Sequence, residues 1–171
     1  MPWLILSSDQ QDNRRTMNRS EKRGKIKNKD LKRQTNCRER PNPEDTLLWS
    51  QSLENLLKSK YGMAAFQTFL KSEYSYENIE FWLICEEYKK IRSSSRLSSR
   101  AQKIFDSYIE ANAPKEINID HQTRDAIRQS VKTPNTSCFD VAQRIVYSLM
   151  EKDSYPRFLR SDIYSSLMAS A

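Results

Sequence analysis

From Ile79 to Cys85 the chain reads Ile, Glu, Phe, Trp, Leu, Ile, Cys, so Glu80 is the only charge in the run. A helix made from these residues is apolar on every side, which marks a central, buried element. The residues just before it have the chemistry of a helix start. Ser75 is placed to accept a backbone N–H, Glu77 suits the positive helix end, and Asn78 falls at the outward-facing entrance. The pattern predicts a helix that crosses the core and carries Ser75, Glu77 and Asn78 to the surface.

On the N-terminal side, Pro41-Asn42-Pro43 marks a boundary, and Asp45 can cap a helix with Leu48, Trp49, Leu53, Leu56 and Leu57 on its apolar side. Gly62 suits a helix stop, and Met63, Phe66, Phe69 and Leu70 give a second helix ending before Ser75. After a polar loop around Ser93-Ser94-Ser95, the residues Leu97, Ala101, Ile104, Phe105, Tyr108 and Ile109 recur at helical spacing. The stretch 113–120 is too polar, and too marked by Pro114, to continue that helix. It reads as a loop with buried anchors Ile117 and Ile119, an exposed Asn118, and Asp120 capping a helix that bears Ala126, Ile127 and Val131. Pro134 breaks the chain again before Phe139, Ala142, Ile145, Val146, Leu149 and Met150 form a second long helix. Asp153-Ser154-Tyr155-Pro156 is expected to interrupt it, with Pro156 in the first turn of a last segment holding Phe158, Leu159, Ile163, Tyr164 and Leu167. No stretch alternates with period 2, so the fold class is all-α, with seven to nine helices.

Charge changes the picture at one end only. Residues 1–43 hold 12 Lys/Arg against 5 Asp/Glu, whereas residues 44–171 hold 17 of each. The first segment, with Met17, Ile26 and Leu31 as the sizeable apolar residues of 7–43, cannot bury enough surface to offset chain entropy and is read as a disordered arm. Those three residues do not share a helical face, so the functional reading is diffuse attraction of the Arg14–Arg40 arm to anionic lipid. A solvated tail with no partner and a contact with nucleic acid are the alternatives. The neutral balance of 44–171 argues against the globule as a nucleic-acid platform.

Candidate chemistry is sparse. Cys37, Cys85 and Cys138 have no metal-like spacing, and an odd count without a secretory signal reads as reduced and intracellular. Trp3-Leu4-Ile5-Leu6 is too short for a signal segment, and no apolar run approaches membrane-spanning length. Two glycines leave no room for a phosphate-cradling loop. His121, the single histidine, lies beside a helix cap with no nucleophile or acid marking a triad. No metal, cofactor or catalytic group is expected, and the chain is read as one that binds rather than reacts. Polar residues that core packing leaves unexplained cluster beside helix ends: Ser75, Glu77 and Asn78, then Asn118, then Asp153, Ser154 and Arg157.

The blocks SEYSYENIEFWLICEEYKK, APKEINIDHQTR and CFDVAQRIVYSLMEKDSYPRFLRSDIY, in that order, resemble the regulator of G-protein signalling (RGS) domain from about Leu48 to Leu167. The branch most similar has one such domain behind a short basic arm. The resemblance implies a nine-helix all-α fold with a four-helix bundle, roughly residues 75–131, and a layer made by the terminal helices. It implies an arm over 1–43, an RGS domain over 44–171, and a monomer in the cytoplasm with peripheral association at the inner face of the plasma membrane. The implied function is to bind the switch regions of a GTP-loaded Gα subunit and speed its GTP hydrolysis, which attenuates receptor signalling. The family's contact positions fall on Ser75, Glu77, Asn78, Asn118, Leu149, Asp153, Ser154 and Arg157. In the family the residue matching Asn118 approaches the Gα glutamine, the Asp153 position meets a switch threonine, and Glu77 and Asn78 flank the same segment. An Asn at position 118 is the form found in members acting on inhibitory and q-type subunits.

Three residues depart from the pattern or sit oddly in it. Tyr76 stands where relatives carry Glu or Asp, which bears on affinity or Gα preference. His121 occupies a variable position. Cys85 matches a cysteine that some relatives palmitoylate, yet its apolar setting favours burial. The alternative function is a scaffold of the same fold that binds Gα or a receptor without accelerating hydrolysis; the retained contact residues argue against it.

Overall fold

The computed structural model describes residues 41–170, so the expected arm, its Arg14–Arg40 lipid contact and Cys37 lie outside the described residues. All regular structure among the described residues is helical, in nine segments: α1 Pro43–Trp49, α2 Leu53–Lys58, α3 Lys60–Ser72, α4 Glu77–Tyr88, α5 Ser94–Ile104, α6 His121–Ser130, α7 Asp140–Leu149, α8 Tyr155–Leu159 and α9 Asp162–Ser170. Two wide turns wound with i→i−5 bonds, Phe105–Ile109 and Met150–Ser154, continue α5 and join α7 to α8.

The all-round apolar character of α4 has a direct structural cause. One core unites Phe81, Cys85 and Tyr88 with residues of α5, α6 and α7, including Ala101, Ile127 and Val146. A second core unites Ile79 with Trp49, Leu56, Phe66, Phe69, Met150 and Phe158 from the terminal helices. Trp82 packs against both cores, so α4 forms the wall between them and needs apolar side chains on both sides. The fourth helix of the bundle is α7, so the bundle runs on to Leu149 and is not confined to 75–131. Helices α4 and α7 are pinned further by Gln143, whose Nε2 donates to the Trp82 carbonyl at 3.2 Å and to Glu86 Oε1 at 2.6 Å. In the second core the Tyr155 hydroxyl donates to the Trp49 carbonyl at 2.6 Å, tying α8 to α1, and burial pushes that hydroxyl's pKa up to about 12.

Several sequence expectations are corrected. The helix expected from Asp45 is two helices. Asn42, not Asp45, caps α1, accepting from the Glu44 N–H at 3.2 Å, and Ser52 caps α2, accepting from Asn55 N–H at 3.1 Å. Gly62 does not stop a helix; it sits in the first turn of α3, where its N–H donates to the Ser59 hydroxyl at 3.1 Å. Glycine is required there by close approach, since a Cβ would stand 2.7 Å from the Leu56 carbonyl oxygen and 2.9 Å from Leu56 Cδ1. Gly62→Ala is therefore expected to destabilise the domain by about 1–2 kcal/mol, overpacking outweighing the gain in helix propensity. A thermal midpoint equal to or above the parent's would contradict this.

The chain is not interrupted at Asp153–Pro156. The Tyr155 N–H reaches back to the Met150 carbonyl, and the widened turn accommodates the proline ring and its missing donor at the start of α8. The last segment is two helices, α9 beginning after Ser161, whose hydroxyl accepts the Tyr164 N–H at 3.3 Å. Ser94 and Ser95 belong to α5 rather than to a loop.

Candidate functional site

Three connections meet at the start of α4. The first is the α3–α4 turn. Here the Ser75 N–H donates to Leu70 O at 3.0 Å and the Tyr74 N–H to Lys71 O at 3.2 Å, the paired bonds of a Schellman helix end. Ser75 is thus the trailing residue of α3 and does not cap α4, which starts from Tyr76 with no side-chain cap. The Ser75 hydroxyl and Asn78 Oδ1 are both buried without a partner among the described residues. An unpaired buried polar group costs about 1–3 kcal/mol, so the start of α4 holds two such groups, a hydroxyl and an amide oxygen.

Tyr74 takes the position that glycine usually fills, with φ 55° and its side chain 95% exposed. A left-handed non-glycine residue costs about 1–2 kcal/mol. Tyr74→Gly is expected to raise stability by about 0.5–1 kcal/mol, strain relief being offset in part by glycine's unfolded-state entropy. Chemical denaturation measures it, and a lower midpoint would show that the turn is not strained. A strained, exposed tyrosine at this place is not explained by folding. Its sequence signal was a helix ending without glycine just ahead of α4.

The second connection is the loop between α5 and α6. It is anchored as expected: Ile117 and Ile119 are buried, Asn118 between them is exposed, and Asp120 caps α6 by accepting the Thr123 N–H at 3.0 Å. The loop is fastened to α4 by Lys115, whose Nζ lies 2.5 Å from Glu80 Oε1. A 480 Å³ cleft between loop and turn is lined by Tyr74, Tyr76, Glu77, Glu80, Lys115 and Glu116, among others. Tyr76 stands under the Lys71 ammonium, 4.7 Å from the ring centre. Burial first, and then the Glu80 carboxylate, raises the pKa of the Tyr108 hydroxyl beneath this junction.

The third is the wide turn from α7 into α8. Arg157 extends from α8 to Asp153, with Nη2 2.8 Å from Oδ2, and its Nη1 pairs with Glu73 in the α3–α4 turn. Its guanidinium also lies over the Phe69 ring at 5.9 Å. Arg157 is therefore held by two carboxylates 80 residues apart in the chain, Glu73 and Asp153. Leu149 is 36% exposed at the end of α7, whereas Ser154 is 4% exposed and shapes the turn from beneath.

The contacts Arg157–Glu73 and Lys115–Glu80 tie α8 to the turn just before α4, and the α5–α6 loop to the first turn of α4. Glu73 and Tyr74 belong to this place and were missed, because the pairing with Arg157 is invisible to local spacing. His121 lies outside it, exposed, with Nδ1 3.0 Å from Asp125 Oδ2. Cys85 is buried, which pushes its thiol pKa up. Among the described residues no group of three or more His, Cys, Asp or Glu side chains could hold a metal ion. No helix there is long and apolar enough to cross a membrane.

A sequence model described as the Regulator of G protein signaling domain matches residues 52–167. The chain is 58% identical over 134 residues to Regulator of G-protein signaling 16 of Rattus norvegicus, spanning 78% of this chain and 67% of that one. It is 56% identical over 128 residues to Regulator of G-protein signaling 16 of Sus scrofa, covering 75% of this chain and 64% of the relative. With Regulator of G-protein signaling 8 of Homo sapiens the identity is 53% over 128 residues, covering 75% of this chain and 71% of the relative.

Proposed function

The chain belongs to the regulator of G protein signaling family, and from that premise we propose that it binds GTP-loaded Gα subunits and accelerates their GTP hydrolysis without supplying a reacting group. In this reading Glu77, Asn78, Asn118, Leu149, Asp153 and Arg157 contact the Gα switch segments, with Ser75 and Ser154 fixing the turns behind them. Gα brings the arginine that stabilises the transferring phosphoryl and the glutamine that orients the attacking water. The activator holds these segments in their reactive arrangement. It accelerates the reaction only if it binds that arrangement more tightly than the ground state. The observation that carries the proposal is the meeting of the three polar connections at the start of α4, braced by Arg157 and Lys115.

Tyr74 adds exposed aromatic area to the face, so Tyr74→Gly is expected to weaken Gα binding while stabilising the free domain. The test of function is single-turnover GTP hydrolysis by purified inhibitory, q-type, s-type and 12-type Gα. Asn118 leads to the expectation of acceleration for the first two. No acceleration of any class would leave the chain a non-activating scaffold.

The proposal extends to a monomer acting at the inner face of the plasma membrane, with residues 1–43 as a basic arm drawn to anionic lipid rather than to nucleic acid. Deleting 1–43 is expected to leave acceleration in solution intact and to reduce binding to phosphatidylserine vesicles. Equal vesicle binding by the shortened chain would refute the role of the arm.

A further inference from the structure

The α4–α5 connection carries chemistry that the proposed Gα face does not use. Residues Arg92 to Arg96 read Arg-Ser-Ser-Ser-Arg, and all five side chains are exposed. Ser93 stands at the N-cap of α5 in extended conformation but gives the helix no side-chain cap, its hydroxyl lying 3.1 Å from that of Ser95. An uncapped first turn is a helix end that opens readily, and opening makes Ser95 available in extended form with Arg92 three residues ahead of it.

A second observation concerns charge. Arg92 ahead of α5 and Arg96, Arg100 and Lys103 along it pair with no carboxylate among the described residues. Neighbouring Lys89 and Lys90, by contrast, are paired with Glu86 and Glu87. Ser95 shares a 570 Å³ cleft with Ile91, Arg96, Ser99, Arg100, Lys103 and one carboxylate, Glu87, which Lys90 already pairs. A hydroxyl standing among unpaired guanidinium groups is matched to a dianion.

We propose that Ser95 is a phosphorylation site for an arginine-directed serine/threonine kinase, and that its phosphate caps α5 and neutralises the arginine stripe. The Ser95 Oγ attacks the γ-phosphorus of ATP. An O–P bond forms as the bond to the β-phosphate oxygen breaks, ADP leaves, and the hydroxyl proton passes to the kinase's base. The product phosphate accepts from the free N–H groups of the first turn and pairs with arginines of the cleft. With a charge near −2 it removes about half the positive charge of the stripe. Helix α4, 12 residues long, separates this end of the bundle from the Glu77–Asn78 end by its full length, about 18 Å at ~1.5 Å per residue. Phosphorylation therefore changes what the basic face attracts and leaves GTP hydrolysis alone.

The test uses the full chain with ATP and the catalytic subunit of the cyclic-AMP-dependent kinase as probe, the modified residue being located by fragmentation mass spectrometry. Phosphate is expected on Ser95, and Arg92→Ala is expected to slow its incorporation about tenfold or more, the worth of one charge-assisted contact. Amide exchange over residues 94–97 is expected to slow in the phosphoprotein, with its acceleration of GTP hydrolysis by Gα unchanged. Absence of phosphate at Ser95, an unchanged rate with Arg92→Ala, or unaltered exchange in the first turn of α5 would each overturn the proposal.

Discussion

Asn118→Ala is expected to reduce the acceleration of single-turnover GTP hydrolysis at saturating protein by about 100-fold, the size of effect seen when one preorganised polar group at a reacting centre is removed. Ile117 and Ile119 set the position of the loop by burial, Asp120 fixes its exit, and Lys115 fastens its entry to Glu80. The exposed amide is thus placed by its neighbours and contributes nothing to their packing. Its removal should leave the unfolding free energy within about 0.5 kcal/mol of the parent. Because the measurement is made at saturation, weaker binding cannot produce the loss. Full acceleration by the variant would remove Asn118 from the mechanism.

Phe158→Ala is expected to lower stability by about 3–5 kcal/mol, a large part of the 5–15 kcal/mol typical of a domain. Phe158 is fully buried and meets Phe66 edge-on at 5.4 Å, Phe69 at 5.6 Å and Tyr164 at 5.4 Å. It therefore joins α3, α8 and α9. It also stands beside Arg157, which lies over the same Phe69 ring and reaches Glu73. Loss of the ring should loosen both the terminal layer and the brace of the proposed face. Phe158→Leu, which keeps most of the volume, should lose less than about 1.5 kcal/mol. A denaturation midpoint for the alanine variant close to that of the leucine variant would show that the second core is not built around this side chain.

The sequence made the centre of the fold legible because burial leaves a strong signature. Six apolar residues in the run from Ile79 to Cys85 have one structural solution, a helix between two cores, and that is the place of α4. The Asn118 loop was legible for a similar reason, as Ile117 and Ile119 are the apolar anchors of an otherwise polar, Pro114-marked connection. Helix ends were harder. Ser75 looked like a cap because the length of α3 could not be read; once α3 runs to Ser72, the Ser75 N–H belongs to Leu70. Gly62 looked like a stop because the approach of the Leu56 carbonyl is a tertiary fact. Pro156 looked like a break because a widened turn leaves no mark in composition. The brace at Arg157 was half legible, its Asp153 arm at i,i+4 but not its Glu73 arm, 84 residues away in the chain.

A braced polar face of the kind proposed must bind another protein's switch segments more tightly in their reactive arrangement than in the ground state. The most direct test is the affinity of the chain for one inhibitory Gα loaded in turn with GDP, with a non-hydrolysable GTP analogue, and with GDP plus aluminium fluoride, which mimics the transferring phosphoryl. Binding about tenfold or more tighter to the aluminium fluoride state than to the GTP-analogue state is predicted, since only a difference between those states lowers the barrier. Equal affinity for the two would contradict it.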